Sequence, residues 1–62
     1  MSGTKLIVLD TTDVDVFYAR NVLEHRIQDY EKMGWTRVGE IEPTYDKQTK
    51  KFGFSQTMQR EE

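Results

Sequence analysis

The sequence predicts a two-layer α+β sandwich: one helix packed on a three-stranded, mainly antiparallel sheet, in the order βαββ. Three observations predict it. A short apolar run lies near the amino terminus, a long amphipathic stretch stops at Gly34, and a two-residue alternation closes the chain.

Lys5 to Leu9 is leucine or β-branched after its first residue, shows no helical period and lies between Gly3-Thr4 and Asp10-Thr11-Thr12-Asp13. A buried first strand over 5–9 fits. Val16, Ala19, Leu23, Ile27 and Tyr30 then recur at spacings of three and four, with Val22 and Met33 on the flank, which is one face of a helix over 14–33. Thr12, three residues before Asp15, suggests a capping box, and Asp13 and Asp15 suit the positive end of the helix dipole. Gly34 ends the helix in the left-handed conformation, and Trp35 folds back on the helix end.

A second strand is expected over 35–42, stopped by Pro43, which cannot donate to a ladder. Val38 and Ile41 have opposite parity within it. Either a bulge near Gly39 switches the inward face, or both faces are partly covered. Residues 43–50 read as a hairpin loop. The last strand, 51–59, puts Phe52, Phe54, Gln56 and Met58 on one face and Gly53, Ser55, Thr57 and Gln59 on the other.

All 62 residues form a single domain, with 1–4 and 60–62 expected to fray. A core this small supplies roughly 3–5 kcal/mol net, and chains of this size commonly add disulfides, a metal or a second subunit. There are no cysteines, so disulfides and thiolate metal sites are excluded. At least two of the residues Leu6 to Leu9 must point away from the helix, and nothing else in the chain covers that sheet face. Self-association is therefore expected, giving a homo-oligomer.

The order Gly34-Trp35, Val38-Gly39, then Phe54-Ser55-Gln56-Thr57-Met58, behind a hydrophobic strand and an amphipathic helix, resembles a family of very small bacterial and phage domains of unknown function. That family's pattern is a helix ending in Gly-Trp, a Gly-Gly strand and a last strand with Gln-Ala-Met. The resemblance covers about fifty residues. Glu40 stands where the second glycine would be, Thr57 where the alanine would be, and Arg37 replaces a usually apolar residue. The resemblance implies a βαββ fold and no particular activity.

Nine Lys or Arg against eleven Asp or Glu leave a formal charge of −2. That balance disfavours nucleic acid, which demands concentrated positive charge. No apolar run is long enough for a membrane span, and a cytoplasmic location is expected. The one histidine, His25, lies on the polar helix face with Asp29 four residues on, but no serine shares that face to serve as a nucleophile. Asp10, Asp13 and Asp15 lack the spacing of a calcium loop. The glycines are scattered rather than gathered into a phosphate loop. No cofactor, metal site or enzymatic activity is expected.

Phe17 and Tyr18, next to Arg20 and Asn21, lie off the apolar stripe and form the candidate partner surface; aromatics beside arginine are common binding anchors. A second candidate surface comprises Trp35, Arg37, Tyr45, Lys47, Lys50 and Lys51, with Phe52 and Arg60 beside the hairpin. The expected function is a small protein-interaction module, of the kind a phage uses to bind and block a host macromolecule. An oligomer that sequesters a small anionic ligand is the alternative. A weak single-stranded nucleic-acid binder acting through the hairpin is the third reading.

Overall fold

The computed structural model describes residues 3–61. Its elements are β1 (Thr4–Asp13), α1 (Val16–Lys32), β2 (Thr36–Asp46) and β3 (Lys51–Glu61). The sheet order is β1-β3-β2 with both pairings antiparallel, so the expected βαββ sandwich is present. No described helix is long and apolar enough to cross a membrane.

β1 is longer than its apolar run. Asp10 to Asp13 pair with Ser55 to Phe52, and Thr11 is buried on the helix side, where its Oγ1 donates to the Ala19 carbonyl at 2.7 Å. Polar residues that look like a loop become strand because β3 runs in register opposite all four of them, and threonine suits the pleat.

Helix α1 begins with the apolar stripe at Val16, two residues later than the expected start at 14, and its cap is Asp15 rather than a Thr12 box. Asp15 Oδ1 accepts from the Phe17 and Tyr18 backbone N–H groups at 2.9 and 3.2 Å, while Asp13 Oδ1 accepts from Asp15 N at 2.9 Å. These are the N2 and N3 donors that a helix cannot satisfy internally. Asp15→Ala is expected to cost about 1 kcal/mol, read as a lower melting temperature. At the other end Gly34 has φ +93°, its N–H donates to the Glu31 carbonyl at 3.1 Å, and Trp35 N–H donates to the Tyr30 carbonyl at 3.0 Å. This is a Schellman closure, and its usual apolar contact is made by the Trp35 ring edge-on to Tyr30 at 6.0 Å.

β2 does not stop at Pro43. It continues to Asp46, and Pro43 sits opposite Phe54; β2 is an edge strand, where a residue without an N–H is tolerated. The turn thereby shrinks to 47–50, with Lys50 at φ +56° closing it. Between Val38 and Glu42 the register slips: four steps on β2 lie opposite two on β3, from Thr57 to Ser55. An even insertion preserves the face. Val38 consequently points to the open side and Ile41 toward the helix, so the irregularity at Gly39 (φ +73°) does not switch the inward side. At the carboxyl end Arg60 and Glu61 are not frayed; they pair with Lys5 and Thr4. The fraying expected at residues 1, 2 and 62 lies outside the described residues.

Leu9, Ala19, Leu23, Ile27, Phe54 and Met58 form the core, with Ile7, Val16, Tyr30, Trp35 and Ile41 packed around it. The helix rests on β1 and β3 and barely touches β2. The molecule is 45 Å long and 19 by 15 Å across, because the strands outrun the helix at the hairpin end.

Candidate functional site

Because α1 lies over β1 and β3, the helix side of β2 is left open. A cleft of about 400 Å³ results, lined by Arg20 from the helix, Arg37, Gly39, Glu40, Ile41 and Pro43 from β2, and Phe54 and Gln56 from β3. Gln56 is 1% exposed and fixes the cleft's shape. Its Nε2 donates to the Val38 and Gly39 carbonyls at 3.1 and 3.2 Å, and to its neighbour Thr57 at 3.0 Å, so a core amide holds the bulge in place. The two arginines are each held by a glutamate of the helix: Arg20 by Glu24 at 3.5 Å and Arg37 by Glu31 at 3.4 Å. Both pairs are exposed, so they orient the side chains and add little stability.

Phe17 is 78% exposed and is not buried against the Asp10–Asp13 segment that precedes the helix. Three residues separate it from Arg20, so the two share a helix flank, the one facing β2. Tyr18, 57% exposed, is one residue and about 100° further round. It lines a different groove of about 410 Å³ beside β1, with Asp10, Thr12, Val22 and Arg26. The expected aromatic pair is thus divided between the two flanks of α1. Asn21 is exposed next to Arg20.

The second candidate set is also divided. Trp35 precedes one end of β2 and Tyr45 lies near the other, ten residues apart along an extended strand, or roughly 30 Å, too far to line a common pocket within one chain. Trp35 is half-buried between Tyr30 and Arg60, whose guanidinium carbon lies 5.3 Å from the ring centroid. Arg60 therefore belongs to this end and not beside the hairpin. Tyr45 stacks at a tilt on Phe52, centroids 4.9 Å apart, at the hairpin end where Lys47, Lys50 and Lys51 are exposed. The amino terminus of α1 is at the same end, since Asp13 pairs with Phe52. Phe17, Tyr45 and the lysines therefore occupy one end of the molecule, with Arg20 and the cleft adjoining.

On the open sheet face Leu6, Val8 and Val38 are exposed around Thr57. His25 and Asp29 are exposed on the helix. Among the described residues no group of three or more His, Asp or Glu could hold a metal ion. The cleft residues Ile41, Pro43, Phe54 and Gln56 were not candidates in the sequence. A glutamine at an inward position between Phe54 and Met58 was the one available signal. No family model, curated protein or solved structure matches the chain.

Proposed function

We propose that the protein is a non-enzymatic interaction module that holds a macromolecular target, foremost another protein, at its hairpin end and blocks it stoichiometrically. The observation that carries this reading is Phe17, an almost fully exposed aromatic ring beside a cleft with an apolar floor and two arginines. An aromatic anchor next to arginine, ready to be desolvated by a partner, is the usual composition of a binding hot spot. Lys47, Lys50 and Lys51 at the same end, with Arg20 on the same helix flank, favour a target with an acidic rim and an apolar pocket. The resemblance of the second half to very small bacterial and phage domains is the ground for reading the blocking as that of a phage-type inhibitor acting in the cytoplasm.

Photo-crosslinking tests it. A benzoylphenylalanine at position 17 is expected to capture one protein in the cells that make this chain, and the same probe at position 25 is expected to capture none. Capture from position 25 alone would move the partner surface to the polar helix face and restore the claim of His25.

A second reading draws on the cleft itself. At about 400 Å³ it lies within the range of small-ligand sites, and Arg20 and Arg37, which would exchange their helix glutamates for the ligand, are the groups that would meet an anion in a sequestering module. Mass spectrometry of the supernatant after denaturing the purified protein separates the two: a stoichiometric anionic compound supports sequestration.

A further inference from the structure

A sheet of three strands has two edges, and in this chain they differ. The β2 edge is broken by the register slip at Val38/Glu42, carries Pro43 and bears Glu40 and Glu42. Bulges, proline and charge are the devices that stop an edge from pairing with another chain. The β1 edge has no bulge and no proline between Thr4 and Leu9, and its one charged residue there, Lys5, has the parity of Ile7 and Leu9 on the helix side of the sheet. Its pairing to β3 runs without a slip from Thr4 to Asp13.

The direction of its backbone groups follows from two contacts. Arg26 Nη1 reaches from the overhanging helix to the Asp10 carbonyl at 3.3 Å, whereas an added Cβ at Gly53 on β3 would lie 3.5 Å from the Thr11 carbonyl oxygen. Odd-numbered residues of β1 thus turn their N–H and C=O groups toward β3. Thr4, Leu6, Val8 and Asp10 turn theirs to the free edge.

We infer that this edge pairs with the β1 edge of a second copy, antiparallel, with Leu6 opposite Val8 of the other copy, to make a continuous six-stranded sheet. This inference does not rest on the Phe17 site, because Phe17 is on the opposite flank of α1. Three features select this occupant and register. Leu6 and Val8, 63% and 64% exposed, become cross-strand partners on the open face, where apolar pairs stabilise a sheet. The pairing ends at Asp10, where Arg26 occupies the carbonyl. The helix sits over the β1–β3 seam, so two copies joined at β1 set their helix axes roughly 10 Å apart, the spacing at which helices pack. The second helix fills the groove lined by Tyr18, Val22 and Arg26. Stacking two copies face to face through the open sheet is the competing arrangement. That face carries Asp10, Glu42 and Asp46 against Lys51, so it would gather like charge.

The absence of cysteine makes the test direct. In this register Ile7 faces Ile7 of the second copy as a non-hydrogen-bonded pair, with Cα atoms about 4.5 Å apart, within disulfide range. Ile7→Cys is expected to oxidise to a covalent dimer at least tenfold faster than Val38→Cys on the open face; an equal or slower rate overturns the proposal. Ultracentrifugation of the unaltered chain is expected to give twice 7.4 kDa at micromolar concentration, and a monomer overturns it. Val8→Pro removes an outward donor and spares the β1–β3 ladder. It is expected to give a folded monomer by circular dichroism and sedimentation, and a folded dimer would count against the edge.

Discussion

Leu23→Ala is expected to lower stability by about 3–5 kcal/mol, a loss comparable to the whole stability of a domain this small. Leu23 is 0% exposed and lies at the centre of the helix stripe, between Ala19 and Ile27, packed in one cluster with Leu9, Phe54 and Met58. Among the described residues six buried apolar side chains make up the core cluster, so the cavity has few neighbours able to close it. A domain of this size has a net stability of about the same magnitude, so the variant should be largely unfolded at room temperature when dilute. Raising the protein concentration should recover part of the folded fraction, because association of folded chains draws on the folded state by mass action. Urea melts at two concentrations check both statements. A loss below 1 kcal/mol would mean that the helix stripe is not what holds the sheet.

Trp35→Ala comes next, with an expected loss of about 2–3 kcal/mol, less than for a fully enclosed ring because Trp35 is only half-buried. Three interactions disappear together. The ring closes the Schellman motif against Tyr30, it carries Arg60 over its face, and it packs on the edge of the core. Edge-on aromatic contact and an exposed cation–π pair are each worth on the order of 1 kcal/mol. Trp35→Phe retains the stacking in part and is expected to lose about half as much. Thermal melts of Trp35→Ala, Arg60→Ala and the variant carrying both separate the cation–π share from the packing share. An unchanged melting temperature in Trp35→Ala would mean that the ring contributes nothing to the fold and is free to bind.

The parts of this fold legible in the sequence are those set by periodicity and by capping chemistry. The stripe from Val16 to Tyr30, the Gly34 turn and the alternation of β3 are each local, and each was read with the correct inward face. The lengths of β1 and β2 were not legible, because Asp10 to Asp13 and Pro43 to Asp46 become strand only through pairing with β3, a non-local partner. The same cause hid the division of the surface candidates. Phe17 and Tyr18 are neighbours in sequence and separated by a third of a helix turn, while Trp35 and Arg60, distant in sequence, meet because β2 and β3 run antiparallel. The cleft was invisible for a further reason. It exists because the helix axis lies over the β1–β3 seam, and no residue pattern reports where a helix rests on a three-stranded sheet.

The interaction reading depends on Phe17 acting as the anchor, and calorimetric titration with the protein captured at position 17 tests that most directly. Phe17→Ala should weaken binding by about 2 kcal/mol or more, roughly thirtyfold, while leaving the fold unchanged, because the residue is exposed and lies outside the core. Alanines at His25, Asp29 and Lys32 together should leave the affinity within about threefold. Loss of binding in that polar-face variant, with Phe17→Ala binding as tightly as the unaltered chain, would contradict the assignment of the partner surface.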